Sequence, residues 1–124
     1  CQAEIGTASA MAAGAAVSLM GGDAYAISHG AALALKNLMG LVCDPVAGLV
    51  EIPCVKRNSL GAVNALVCAD EVLAGIRSRI PPDEVIDAMR AVGKSMPENL
   101  KETGTGGIAA TPKGIEISEK LGGL

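Results

Sequence analysis

Apolar residues recur along this chain with the spacing of α-helices, and no segment alternates polar and apolar residues as a half-buried strand would. An alanine-rich run predicts a first helix over Ala3–Met20, which Gly21-Gly22 ends. Asp23 then offers a side-chain cap for a second helix that runs to about Met39. The stripe that this second helix is expected to bury contains Ile27, Ala31, Ala34, Leu38 and Leu41.

A third helix is expected in the segment LGAVNALVCADEVLAGI, where apolar residues occupy nearly every side. Asn58 or Ser59 is its expected cap, and the all-round apolar pattern predicts a central position. A fourth helix starts at Pro81-Pro82, ahead of two acidic residues, and ends at Pro97. A short fifth helix is predicted from Ile115 to Leu121. The expected buried face of the fourth helix contains Val85, Met89, Val92 and Met96.

These elements predict an all-α fold, a compact Ala/Gly-rich helical domain of about five helices. A single domain over residues 1–124 is long enough to bury a core without disulfide support. Small residues recur at every fourth position of the first helix, so another helix can approach it closely. Because the chain opens on Cys1 and not on Met, we interpret it as a fragment of a longer protein.

Composition and charge argue against several classes of function. A net charge of −3 and one aromatic residue, Tyr25, provide neither the basic surface nor the stacking platform of a nucleic-acid-binding protein. The uncharged run from Ile5 to Gly22 is as long as a short membrane span, but Ala, Gly and Ser make it only weakly hydrophobic. We therefore expect a core helix here, no membrane association and, without a secretory pattern, a cytoplasmic location.

Four cysteines, at positions 1, 43, 54 and 68, raise the question of metal binding. Two of them flank the loop LVCDPVAGLVEIPC, which Pro45 and Pro53 stiffen. The close cysteine pairs of zinc fingers and the contiguous spacing of ferredoxins are both missing. Spacing alone therefore leaves two interpretations open, a metal site that only the fold assembles and a set of buried structural cysteines.

Three separated segments resemble a known family. They are CQAEIGTASAMAAGAA at the start, LKNLMGLVCDPVAGLVEIPCVKRN in the middle and ETGTGGIAATPKG near the end. Together they are similar to the alpha, or catalytic, domain of iron-sulfur-dependent L-serine dehydratases, over essentially the whole chain. The resemblance implies a lyase of amino-acid catabolism and gluconeogenesis, which converts L-serine to pyruvate and ammonia without pyridoxal phosphate. It also implies a 4Fe-4S cluster held by Cys1, Cys43 and Cys54, whereas Cys68 matches no ligand position and is expected to be a buried hydrophobe.

Ligation by three cysteines would leave one iron open to act as a Lewis acid on the serine hydroxyl, a poor leaving group, while a base removes the α-proton. The resemblance implies that this base lies upstream of the chain, so the chain alone is expected to be inactive. It further implies a beta domain or beta subunit as partner, and a homo-oligomer is expected. His29 falls in a predicted helix, away from the loops, and is given a structural or surface role.

Candidates for binding L-serine lie in two loops. Directly after Cys54 come cationic and amide donors suited to the substrate carboxylate, Lys56, Arg57 and Asn58. The later Gly and Thr loop offers hydroxyl and amide donors from Thr103, Gly104, Thr105, Gly106 and Gly107. An exposed helix start explains the first group as well, and a flexible connection explains the second. Asp44 either tunes the cysteine site or serves as a turn residue before Pro45.

Two other functions are compatible with these residues. A related cluster-dependent desulfidase or dehydratase acting on another small amino acid would use the same ligands, because cluster ligation does not set the substrate. A non-catalytic helical interaction module would merely bury the cysteines. Thiols that stay reduced and bind neither iron nor sulfide would identify the interaction module.

Overall fold

The computed structural model describes residues 1–122, and within that range the secondary structure is helical with no β-strand. The five α-helices are α1 (Glu4–Leu19), α2 (Ala24–Asn37), α3 (Cys54–Leu73), α4 (Pro82–Ser95) and α5 (Pro112–Lys120). Three short 3-10 turns lie at Val46–Gly48, Glu98–Leu100 and Gly107–Ala110. The all-α prediction is therefore confirmed.

Helices α1, α2 and α3 pack against one another and form the main core. The residues at their centre are small, and Ala13, Val17 and Cys68 are completely buried. Asp23 caps α2 as expected, because its carboxylate accepts a hydrogen bond of 2.7 Å from the backbone N–H of Ala26. The alanine-rich pattern therefore yields a tightly packed three-helix unit without aromatic residues in its core.

The expected start of α3 is wrong, because the helix begins at Cys54 and not near Asn58 or Ser59. The Asn58 amide donates to the carbonyl oxygen of Cys54 at 3.0 Å, and the Ser59 hydroxyl donates to that of Val55 at 3.5 Å. These are bonds to the preceding turn of the same helix, not caps. Cys54 consequently lies in the first turn of a helix and not in an open loop.

The expected central position of α3 is also wrong. One face packs on α1 and α2 through small residues such as Gly61 and Ala65. The opposite face carries exposed apolar side chains, Val55, Leu60, Val63, Leu66 and Val67. An apolar pattern on all sides therefore does not mean burial on all sides within the part of the chain described here.

Helices α4 and α5 follow their predicted signals with one shift. On α4, Val85 is buried and the other three expected residues of its face are half-buried. The fifth helix begins at Pro112, earlier than expected, because Thr111 caps it by accepting a hydrogen bond of 3.2 Å from the N–H of Gly114. Proline at the first helical position is common, so Thr111-Pro112 was the missed signal.

We expect Gly61→Ala to lower stability and Gly6→Ala to leave it unchanged or raise it, although both glycines are buried in helices. A Cβ on Gly61 would lie 2.7 Å from Ile5 Cγ2, whereas one on Gly6 would lie 3.9 Å from its nearest neighbour, in ordinary contact. Overpacking should make Gly61→Ala less stable than wild type by about 1–3 kcal/mol. Gly6→Ala should be neutral or stabilising because alanine favours the helix. Urea unfolding of both variants checks this, and equal midpoints would contradict it.

Within residues 1–122, none of the helices combines the length and the apolarity that crossing a bilayer requires.

Candidate functional site

The loop LVCDPVAGLVEIPC, called the Cys43 loop below, and the Gly and Thr loop lie far apart in sequence but are joined by backbone hydrogen bonds. The N–H of Cys43 donates to the carbonyl oxygen of Leu100, and the N–H of Glu102 donates to that of Cys43, each at 2.9 Å. The N–H of Ile108 donates to Asp44 Oδ2 at 2.7 Å. Two of the three segments that resemble the dehydratase family thus form one continuous surface.

Arg57 connects this surface to the chain start. Its Nη1 lies 2.6 Å from Asp44 Oδ1, 3.1 Å from the carbonyl oxygen of Val42 and 3.4 Å from Cys1 Sγ. Residues three apart share a helix face, so Arg57 lies on the same side of α3 as Cys54. The guanidinium therefore stands where the segments carrying three cysteines approach one another.

Asp44 is 2 % exposed and ionised at neutral pH. Burial opposes its ionisation, but hydrogen bonds from Arg57 and Ile108 and the positive charge of Arg57 outweigh burial and lower the pKa of the carboxyl group. Both carboxylate oxygens accept strong hydrogen bonds. Asp44 therefore does more than form a turn before Pro45.

The lowered pKa of Asp44 gives stability a defined dependence on pH. The ionised carboxylate stabilises the fold fully above its ordinary pKa of 3.8, and this contribution is lost as the pH falls through the lower pKa of the folded protein. We expect Asp44→Asn to be less stable than wild type by about 2–3 kcal/mol at pH 7, with the difference narrowing below about pH 4. Urea midpoints at about pH 7 and pH 3.5 measure this. A difference that stays constant between the two pH values would contradict it.

The cysteines expected to be ligands differ in exposure. Cys1 and Cys54 are 6 % and 2 % exposed, and Cys43 is half-buried. Burial raises the pKa of the Cys54 thiol, and the nearby Glu4 and Cys43 raise it further. Within residues 1–122, no three His, Cys, Asp or Glu side chains are grouped closely enough to hold a single metal ion.

Cys68 lies apart from this surface, in the core between α1, α2 and α3. Its sulfur accepts a hydrogen bond of 3.4 Å from the Asn37 amide. Burial, followed by the charge of Glu71, raises the pKa of this thiol. Its expected status as a small buried residue is confirmed.

Only part of the predicted substrate-binding set is joined by hydrogen bonds to the Cys43 loop and to Cys1. Lys56 is exposed, and the amide of exposed Asn58 bonds back to Cys54. Of these three neighbours, Arg57 is the one with hydrogen bonds to the Cys43 loop and to Cys1.

The Gly and Thr loop is fixed by close packing. A Cβ on Gly106 would lie 2.8 Å from Asn99 Nδ2, and a Cβ on Gly107 would lie 2.7 Å from Asp44 Cβ. The exposed hydroxyls of Thr103 and Thr105 are 2.7 Å apart and hydrogen-bonded to each other. The loop is thus held against the Cys43 segment, unlike a plain flexible connection.

His29 lies 7 % exposed in α2, so a surface role for it is wrong. Its ring packs against Tyr25 with centroids 4.2 Å apart, and its Nδ1 has no hydrogen-bond partner within residues 1–122. No side-chain hydrogen bond joins His29 to the cysteine loops within residues 1–122, which leaves the structural role.

Sequence reasoning missed Gln2. Its side-chain oxygen accepts from the N–H of Gly40 at 2.8 Å, and its amide donates to the carbonyl oxygen of Met89 at 2.9 Å. Its backbone N–H donates to Leu41 at 3.1 Å. Gln2 therefore ties Cys1 to the end of α2 and to α4. Its only signal in the sequence was its place beside Cys1, because nothing local predicts burial of a glutamine.

The fold and site define an all-α domain in which cysteines from three segments approach a buried Asp–Arg pair. Residues 1–109 match the family model described as "Serine dehydratase alpha chain". The chain belongs to the serine dehydratase alpha chain family.

Curated relatives extend this result. The chain is 60% identical over 123 residues to "Probable L-serine dehydratase, alpha chain" of Bacillus subtilis (strain 168), covering 99% of this chain and 41% of that protein. It is 58% identical over 123 residues to a protein of the same name from Latilactobacillus sakei, covering 99% and 59%. It is 52% identical over 117 residues to "L-serine dehydratase, alpha chain" of Peptoniphilus asaccharolyticus, covering 94% and 40%. The chain thus spans less than two thirds of the length of each of these relatives.

Proposed function

We propose that this chain is the cofactor-binding part of an L-serine dehydratase. The observation that carries the proposal is the identity of 60% over 99% of the chain to a protein named as such an alpha chain. The reaction is an elimination followed by hydrolysis. L-Serine loses the α-proton and the hydroxyl group as water, the resulting aminoacrylate becomes an imine, and water releases ammonia and leaves pyruvate.

The residues fit a 4Fe-4S cluster held by Cys1, Cys43 and Cys54. Each cysteine of a cluster binds a different iron, so its ligands stand farther apart than those of a single ion. A cluster therefore does not require the single-ion group that residues 1–122 lack. Because ligation needs thiolates, and burial raises the pKa of Cys54, binding would release protons. When bound, the cluster supplies a Lewis acid for the departing hydroxyl group.

The chain's own residues frame the substrate. The exposed ammonium of Lys56, the Asn58 amide and the hydroxyls of Thr103 and Thr105 are candidates for holding the serine carboxylate and ammonium groups. The Gly104, Gly106 and Gly107 amides complete this candidate set. The fixed packing of their loop against Asp44 supports a preformed substrate position, since it limits the ordering needed on binding.

The general base is proposed to come from outside this chain. The sequence holds one imidazole, and His29 is buried in α2 against Tyr25. The part of the relatives' length that the chain does not span leaves room for such a residue. The relatives' names, "alpha chain", support a second chain as partner.

Anaerobic reconstitution of the full-length protein with iron and sulfide tests the proposal. We expect about four irons and four sulfides per chain, a visible absorption band from the cluster, and pyruvate release from L-serine. L-Cysteine and L-threonine serve as alternative substrates. Higher kcat/KM for either would identify the related desulfidase or dehydratase. Failure to bind iron and sulfide together with absence of pyruvate would contradict the proposal.

A further inference from the structure

Arg57 and Asp44 form a buried ion pair between segments that carry the cysteines. Their Nη1–Oδ1 distance is 2.6 Å, and the two side chains are 18 % and 2 % exposed. The other ion pairs of residues 1–122 each include at least one side chain more than 40% exposed and lie within one helix or turn. Arg57–Asp44 is therefore the pair in this range that links distant parts of the chain.

The pair reaches Cys1 through the same nitrogen. Arg57 Nη1 lies 3.4 Å from Cys1 Sγ, and these residues are 56 positions apart. Asp44 in turn is fixed from its other side, since Oδ2 accepts from the N–H of Ile108. A chain of contacts thus runs from the Gly and Thr loop through Asp44 and Arg57 to the sulfur of Cys1.

We propose that Asp44 and Arg57 are a positioning pair that holds the Cys1 sulfur next to the Cys43 loop and the start of α3. The ligand role of Cys1 rests on the proposed function, whereas the positioning itself does not. In metal sites, groups that hydrogen-bond to the ligands fix the orientation of those ligands. Here Arg57 makes such a contact with the sulfur of Cys1. In this proposal Arg57 acts as a positioning residue, because its guanidinium already engages Asp44, Val42 and Cys1.

Arginine suits this role better than lysine. Its outer nitrogens lie one bond farther from the backbone than the nitrogen of lysine, and here one of them, Nη1, reaches a carboxylate, a carbonyl and a sulfur. An ammonium group on the shorter, flexible stem of lysine would follow Asp44 without keeping Cys1 in place. Arg57→Lys therefore preserves charge and removes the positioning geometry.

Thiol alkylation of the cluster-free full-length protein tests the pair. We expect Arg57→Lys and Asp44→Asn each to raise the alkylation rate of Cys1 by about tenfold, read by peptide mass spectrometry. Asp44 does not hydrogen-bond to Cys1, so its effect must pass through Arg57. The double variant should exceed neither single variant, because both break one chain of contacts.

Controls separate positioning from general loosening. Arg77→Lys changes a guanidinium that bonds backbone carbonyls at the far end of α3, and Asp70→Asn changes an exposed carboxylate. Both substitutions should leave the alkylation rate of Cys1 unchanged. Cys68 reports on opening of the core, so its alkylation rate should stay constant in Arg57→Lys, and in Asp44→Asn it measures how much of the rise at Cys1 comes from the lower stability of that variant. A parallel rise at Cys68 in Arg57→Lys, or an unchanged rate at Cys1 in both site variants, would overturn the proposal.

Reconstitution then links the pair to the cofactor. If Cys1 is a ligand, Arg57→Lys should lower the iron and sulfide retained per chain by about tenfold after a chelator challenge, relative to wild type. If the variants show raised Cys1 reactivity but the wild-type protein takes up no iron, the positioning pair stands and the cluster assignment is wrong. Normal cluster retention with unchanged Cys1 reactivity would sink the positioning pair alone.

Discussion

Cys43→Ala and Cys54→Ala, made separately in the full-length protein, should each strongly reduce pyruvate release from L-serine and prevent cluster retention. Under the proposed function each variant loses the Lewis acid assigned to the departing hydroxyl group, so we expect a decrease in kcat/KM on the order of 10³-fold. Iron and sulfide content, the visible absorption band and initial rates of pyruvate formation are the measurements.

Cys68→Ala is the matched control for these variants. It removes the same sulfur atom as the other two substitutions, but from the core, where Cys68 is completely buried and hydrogen-bonded to Asn37. It should cost about 1 kcal/mol of stability or less and leave cluster content and activity intact. Full cluster content in both Cys43→Ala and Cys54→Ala would refute the ligand assignment.

Gly107→Ala should lower stability much more than Gly48→Ala, although both glycines have a positive φ. Gly107 has a φ of 56°, and a Cβ there would lie 2.7 Å from Asp44 Cβ and 2.8 Å from Asp44 Cγ. The change therefore adds backbone strain to a collision with a fixed carboxylate, for a total of about 2–4 kcal/mol. Urea unfolding measures this loss.

Gly48→Ala separates strain from collision. Gly48 also has a positive φ, 70°, but a Cβ there would meet nothing within 4 Å. Its cost should be about 1 kcal/mol, from backbone conformation alone. Equal losses for the two variants would show that Asp44 moves away from the added methyl group without penalty.

Local signals predicted the helices well because their causes lie within a few residues. Asp23 caps α2, and Pro81-Pro82 marks the start of α4. Both signals act on residues next to them in the chain, so the sequence alone reveals them. The start of α3 was missed because Asn58 and Ser59 bond to the preceding turn, an arrangement that cap preferences do not distinguish. The exposed face of α3 was missed because a pattern reports apolarity and not what covers it.

The site could be predicted only in part for a different reason. Spacing could not show that Arg57 would contact Cys1, or that Asp44 would accept from Ile108, because these contacts depend on helix packing. The three cysteines were singled out through the family resemblance, and their ligand role remains a prediction. The sequence suggests the loop glycines as amide donors to the substrate, whereas the structure shows that Gly107 is required for packing against Asp44.

The bond between Asp44 and Ile108 spans 64 positions, and this separation sets an order of events during biosynthesis. Chains emerge from the ribosome with the amino terminus first, so Cys1, Cys43 and Cys54 are all exposed before the segment that braces their loop exists. Contacts between distant segments also form slowly, because closing the chain between them costs entropy before the new contacts stabilise it. Under the proposed ligand role, these thiols have to stay reduced through this interval, and a cofactor that needs the braced loop can be inserted only after synthesis has passed residue Ile108.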